Sequence, residues 1–219
     1  YGVDYNILTV VTQKTAGHAA EIYNYYKEQG WKYQQYIACL DPLGEDRGKT
    51  PYALNPEQYG MFLTELFNLW YEDWKKGEQP YIRQFENYIG ILLGYQPESC
   101  EQRGSCGIQN VVEADGSVYP CDFYALDEYK LGNFNCNRLE EIDKKRKEIA
   151  FVEQSQIVAE NCKNCKFYKI CKGGCRRNKD FNAMNGEYEN YFCKSYRIFF
   201  DICLERMIQI VEIIKNQKG

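Results

Sequence analysis

Histidine and long apolar runs are what this 219-residue sequence has least of. His18 is the only histidine, and no partner for acid–base chemistry is visible near it, so histidine catalysis is set aside. No stretch of about 18 uncharged apolar residues occurs, which excludes a transmembrane helix. The opening YGVDYNILTVVTQ has neither the basic start nor the apolar core of a signal peptide. It also lacks an initiator Met, so the chain is expected to begin in the middle of a longer protein. Positive charge is not in excess. The 27 Lys and Arg stand against 31 Asp and Glu, a net charge of −4, which argues against a broad nucleic-acid or anionic-membrane surface. Internal repeats and low-complexity tracts are missing too.

Cysteine is abundant: 11 residues, at Cys39, Cys100, Cys106, Cys121, Cys136, Cys162, Cys165, Cys171, Cys175, Cys193 and Cys203. An odd count, a long chain and no export signal argue against a secreted disulfide scaffold and for metal ligation in a reducing, cytoplasmic compartment.

Residues 5–11 are a β-branched run that reads as a buried parallel strand. Thr15 is a plausible N-cap for a helix over 16–29 ended by Gly30, and residues 32–40 read as a second strand. That βαβ unit cannot form a domain alone and fits a piece of a larger α/β barrel. Asn55 caps a helix opened by Pro56, with Phe62, Leu66, Trp70 and Trp74 as one apolar stripe. Residues 81–93 read as a further helix. Asp115-Gly116 signals a two-residue hairpin turn between residues 108–113 and 117–119. Residues 138–150 read as a charged helix. In it, Glu140, Glu141 and Asp143 stand four residues before Lys144, Lys145 and Lys147, a solvated ion-paired face rather than a nucleic-acid patch. Residues 161–193 are Cys-rich and loop-like, and a last helix runs over 195–215, with Cys203 a small core residue.

The densest thiol run is Cys162-x2-Cys165-x5-Cys171-x3-Cys175, preceded by Cys106-x9-Gly116-x4-Cys121 and followed by Cys193. With Cys100 that makes eight thiols, enough for two four-ligand sites. Iron–sulfur clusters take several thiolates from short loops, and Gly173-Gly174 would permit a backbone reversal before Cys175. Zinc is the competitor, although five residues between Cys165 and Cys171 is tight for a zinc ribbon.

These spacings resemble the SPASM domain of radical S-adenosylmethionine enzymes. Within that superfamily, Tyr119-Pro120-Cys121-Asp122-Phe123-Tyr124, Glu128-Tyr129-Lys130-Leu131-Gly132-Asn133, Arg103-Gly104-Ser105-Cys106-Gly107 and Cys39-Leu40-Asp41-Pro42 resemble the anaerobic sulfatase-maturating enzymes. The resemblance implies an α/β fragment, the last βαβ of a partial (β/α)6 barrel, then an α+β, loop-rich iron–sulfur domain and a C-terminal helix. The expected divisions are residues 1–55 for the barrel end, 56–97 for a helical linker region, 98–194 for the SPASM domain and 195–219 for the last helix.

It further implies oxidation of a Cys or Ser of a sulfatase peptide, in a CxPxR or SxPxR motif, to Cα-formylglycine without oxygen. A 5′-deoxyadenosyl radical removes a Cβ hydrogen, a proton and an electron follow, and a ferredoxin or flavodoxin exchanges electrons with the enzyme. Cys100, Cys106, Cys121 and Cys175 would hold one auxiliary [4Fe–4S] cluster, and Cys162, Cys165, Cys171 and Cys193 a second. Asp122 would be the base, and Leu40 would line the adenosyl site. The residues alone allow blander readings of both: a turn-capping Asp and a barrel-core Leu. The family's CxxxCxxC motif for a third cluster is missing, since the only CxxxC is Cys171 to Cys175. The part that cleaves S-adenosylmethionine is therefore expected upstream of Tyr1, leaving this chain inactive alone. The alternatives are a thioether-forming SPASM maturase, an isolated electron-transfer module and a zinc-binding interaction module.

Overall fold

A computed structural model describes residues 2–217. The elements run β1 (Ile7–Val11), α1 (Ala19–Glu28), β2 (Tyr33–Ala38), α2 (Pro56–Trp74), β3 (Tyr81–Ile82), α3 (Arg83–Leu93), α4 (Cys100–Arg103), β4 (Val111–Val112), β5 (Ser117–Tyr119) and β6 (Gly132–Asn133). They continue through α5 (Leu139–Glu148), α6 (Phe151–Ser155), α7 (Glu160–Lys163), α8 (Tyr168–Cys171), β7 (Lys179–Asn182), β8 (Glu187–Asn190) and α9 (Cys193–Gln217). The chain forms two units, one from the segment up to Glu98 together with that from Tyr191 onward, the other from Ser99–Asn190.

In the first unit β1, β2 and β3 form a parallel sheet, with Ile7 opposite Gln34 and Tyr33 opposite Tyr81. The expected βαβ start is present. Tyr81 and Ile82, read as helix from their apolar pattern, instead extend the sheet, because β2 offers them a pairing edge. Thr15 is not the cap of α1. It lies in a 3₁₀ turn, Thr15–Gly17, where its hydroxyl accepts from Thr12 N at 2.8 Å, and His18 takes the cap position without a side-chain bond. Alternation along β1 and β2 turns Val11 and Tyr36 into the helical side, while Leu8 and Val10 on the other face are 58% and 50% exposed.

The Asn55 cap is as read: its side chain accepts from Glu57 N at 2.8 Å, with Pro56 at the first helical position. Of the expected stripe, Phe62, Leu66 and Trp70 are buried, while Trp74 is half-buried and stacks on Tyr71. Residues 56–97, read as a linker region, pack in the same unit as the sheet and α9. Phe67 meets Phe85 and Phe199 edge-on, and a Cβ on Gly60 would lie 3.0 Å from the Ser195 carbonyl. Buried Asp73 ties α1 to α2, accepting from Tyr23 Oη at 2.7 Å and Lys27 Nζ at 2.5 Å. Cys203 is in the core, as expected.

In the second unit Val118, Leu131 and Ile142 make a small apolar core between the antiparallel sheet β4-β5-β6 and α5, and Tyr124, Phe151, Phe167 and Ile170 are buried as well. The β4–β5 turn has three residues rather than two: Glu113 N bonds Ser117 O at 2.9 Å, and Gly116, at φ +84°, bonds back to Glu113 O. Asp115 accepts from Ser117 N and Oγ, which consumes the residue that signalled the shorter turn. Along α5 the described ion pairs are i,i+3, Lys145–Glu148 at 3.4 Å and Arg146–Asp143 at 3.7 Å, rather than the expected i,i+4 set. Glu141 accepts from Arg138 N instead, and Arg146 is buried, donating to Asn110 Oδ1 at 2.5 Å. Residues 161–193, read as loop, carry α7, α8 and the hairpin β7–β8.

Candidate functional site

None of the cysteines in the second unit is in a disulfide; every cysteine of the chain is a free thiol. Cys100 opens α4, Cys106 lies three residues beyond Arg103, Cys121 precedes the 3₁₀ turn Asp122–Tyr124, and Cys175 precedes the 3₁₀ turn Arg176–Asn178. Cys106 is within electrostatic reach of each of the other three. Cys100, Cys106 and Cys175 line one small pocket with Ser105, Ser155, Gly174 and Arg176, around about 170 Å³ of empty space.

Backbone geometry brings these segments together. Lys172, Gly173 and Gly174 follow α8 with φ of +55°, +84° and +73°, so the chain reverses through three left-handed residues between Cys171 and Cys175. Gly104, at φ +74°, sits against this reversal. A Cβ there would lie 2.7 Å from Lys172 Cβ and 2.9 Å from its carbonyl oxygen. Ser155 Oγ, buried, accepts from Cys106 N at 2.8 Å and donates to Val152 O at 2.5 Å, fixing the Cys106 loop on α6. Arg176 stacks on Tyr124 and Phe151 and donates to Phe151 O at 2.7 Å and Gln154 Oε1 at 2.6 Å.

Burial raises the thiol pKa of Cys100, Cys121 and Cys175, and a hydrogen bond to Asp122 helps push Cys121 up to about 12. Buried thiols left protonated are poor ligands, so a group that takes them as thiolates must supply the compensating positive charge. The Cys175 sulfur also accepts from Arg177 N at 3.4 Å. Among the described residues, no three His, Cys, Asp or Glu side chains converge closely enough to hold a single metal ion. An all-sulfur set drawn from short loops is the donor chemistry that an iron–sulfur cluster takes.

Of the second expected set, Cys162 lies on α7, Cys165 between α7 and α8, and Cys171 at the end of α8. Cys193 is the first residue of α9, in the segment belonging to the first unit. Asp122 is exposed, its Oδ1 accepting from Cys121 Sγ at 3.1 Å. Leu40 belongs to the first unit, two residues past the end of β2 and half-buried. Its neighbour Asp41 is buried and accepts from Gly48 N, Thr50 N and Thr50 Oγ at 2.7–2.8 Å. These bonds outweigh burial and hold its carboxyl below the usual range, while ordering the loop after the strand. His18 is exposed and pairs with Glu21 at 2.7 Å, outside this site. Sequence reasoning missed Ser155, Arg176 and Lys179. For Arg176 and Lys179 the only signal was the run Arg176-Arg177-Asn178-Lys179 after a cysteine, which charge alone does not interpret; Ser155 carried none.

Residues 100–166 match the SPASM family, described as an iron–sulfur cluster-binding domain. The chain is 46% identical over 215 residues to a cysteine-type anaerobic sulfatase-maturating enzyme of Clostridium perfringens, spanning 98% of this chain and 58% of that relative. A serine-type anaerobic sulfatase-maturating enzyme of Bacteroides thetaiotaomicron is 29% identical, spanning 100% of this chain and 56% of that relative. A solved structure of native anSMEcpe with bound AdoMet and Cp18Cys peptide superposes with a TM-score of 0.89 at 45% identity, covering 97% of this chain and 59% of that one. The chain thus spans somewhat more than half the length of the curated relatives it matches.

Proposed function

We propose, on the support of 46% identity along 98% of this chain to an anaerobic sulfatase-maturating enzyme, that it belongs to that family and takes part in converting a sulfatase cysteine or serine to Cα-formylglycine by S-adenosylmethionine radical chemistry. The three-stranded sheet, open on its Leu8 and Val10 face, would be part of the partial barrel's inner wall. Leu40, just beyond the carboxyl end of β2, stands where α/β folds place ligands and would line the adenosyl site. Cys100, Cys106, Cys121 and Cys175 would hold one auxiliary [4Fe–4S] cluster, and Cys162, Cys165, Cys171 and Cys193 the second. Once bound, such clusters supply one-electron acceptance.

The observation that carries the proposal is the Cys121–Asp122 contact at 3.1 Å. Ligation takes the proton from a thiol, so this hydrogen bond and a metal bond at Cys121 are alternatives. A ligated Cys121 releases the exposed Asp122 carboxylate, yet the 3₁₀ turn still fixes its backbone beside the ligand. Asp122 is then placed to take the proton of the substrate thiol or hydroxyl. Cysteine is the preferred residue, a reading supported by 46% identity to a cysteine-type relative against 29% to a serine-type one. The polypeptide partner carries a CxPxR-type motif, a ferredoxin or flavodoxin exchanges electrons, and the reaction runs in a reducing cytoplasm. Among the described residues, no helix is long and apolar enough to cross a membrane.

The test is Asp122→Asn in the full-length enzyme with a CxPxR peptide, measuring formylglycine and 5′-deoxyadenosine, each normalised to iron. Product should fall by about 10²–10⁴ while deoxyadenosine release persists, the size of a lost general base. Product within about twofold of the parent removes Asp122 as the base.

A further inference from the structure

Lys179 opens β7, four residues after Cys175, and its side chain turns inward. Nζ donates to Ser155 O at 2.7 Å and to Ile157 O at 3.0 Å. Its Cε passes 3.9 Å from where a Cβ on Gly173 would stand, so the stem runs along the reversal between Cys171 and Cys175. A lysine ordinarily buries its stem and keeps its ammonium in water. Here the residue is half-buried and its ammonium is tied to two main-chain carbonyls, which offset part of the cost of the water it gives up. Burial accordingly lowers its pKa, and the charges that oppose this are all sulfur: Cys175 and Cys106, then Cys162 and Cys171. The first two belong to one proposed ligand set and the last two to the other, so a single cation lies within electrostatic reach of both.

We propose that Lys179 is the shared counter-ion of the two clusters, an ammonium pinned between both thiolate sets that raises the reduction potential of each. The proposal rests on the ligand reading given above. Adding an electron makes a thiolate-bound cluster more negative, and a nearby cation in a partly buried setting stabilises that form. Because one charge acts on both sites, it moves their potentials together and keeps them matched for passing an electron between them. Lys179 ligates neither cluster and touches no substrate; it is a positioning charge.

The experiment is an EPR-monitored redox titration of the anaerobically reconstituted full-length holoprotein, comparing the parent with Lys179→Met, Lys179→Gln and Lys179→Arg. The auxiliary signals are the two that S-adenosylmethionine does not perturb. Both neutral variants should lower both auxiliary midpoints, each by about tenfold in the one-electron equilibrium, or about 59 mV. Lys179→Arg, which keeps the charge, should stay near the parent. With two auxiliary clusters present, unmoved potentials, or a shift in only one, overturn the shared counter-ion and leave the ligand reading standing. Fewer than two auxiliary clusters in the parent overturns both. If the neutral variants lose iron, Lys179→Arg decides. Retained iron with parental potentials supports the charge role, and lost iron shows that Lys179 is only a tie to Ser155 and Ile157.

Discussion

Gly104 and Gly186 provide a matched pair of substitutions within the second unit. Their φ angles are +74° and +72°, so Ala at either position meets the same left-handed penalty, about 1–2 kcal/mol. The unfolded chain loses the same freedom in both cases, and that term cancels. The surroundings differ. An added methyl at Gly186 meets nothing within 4 Å, whereas at Gly104 it stands 2.7 Å from Lys172 Cβ and 2.9 Å from the Lys172 carbonyl, one of them backbone. Neither neighbour is the free end of a long side chain, so the backbone must move, an overpacking cost of about 1–3 kcal/mol. Gly104→Ala should therefore be less stable than Gly186→Ala by that amount. At urea m-values of about 1–3 kcal/mol/M, the midpoints should separate by about 1 M. Iron content adds a second readout, because the displaced segments carry Cys100 and Cys106 on one side and Cys171 and Cys175 on the other. Anaerobic urea titrations of both reconstituted variants, with iron per chain measured alongside, make the comparison. Equal midpoints with equal iron would show that α4 does not pack against the reversal, and the argument for how the first ligand set assembles would fail.

Anaerobically reconstituted chain should carry about eight iron and eight sulfide, the load of two cubanes; about four iron after full reconstitution would remove the second site. Cys165→Ala should leave the region around α7 and α8 open to protease as well as lower iron, since this unit's apolar core is small and metal bonds must supply order there; unchanged protease resistance would contradict that. Asp73→Asn should destabilise the first unit by about 1.5–3 kcal/mol, because hydrogen bonds to a charged group are lost from a buried site. Burial raises this carboxyl, but the bonds from Lys27 and Tyr23 outweigh it and its folded pKa is lowered. Its contribution is thus present above the unfolded carboxyl pKa and fades as pH falls through the folded one, so the parent and Asp73→Asn should converge in stability under acid. A constant gap from neutral pH into that acid range would refute this.

Local chemistry carried much of the chain by sequence alone. The Asn55-Pro56 start of α2, the stripe Phe62, Leu66 and Trp70, and the left-handed glycines after Cys171 each depend on a few adjacent residues. Thiol spacing likewise marked the iron–sulfur domain, because ligands from short loops leave a fixed interval in the chain. What the sequence could not decide depended on partners distant along it. Tyr81 and Ile82 became strand because β2 was there to pair with, and residues 56–97 became core because α9 and the sheet close over them. Three residues instead of two in the β4–β5 turn followed from the register that β5 shares with β6 as well as β4. Lys179 was one more basic residue until folding set its ammonium against Ser155, Ile157 and thiols lying between Cys106 and Cys175 in the chain. A charge acquires its meaning from the charges around it, and Coulomb interactions depend on distance in space, which position along the chain does not reveal.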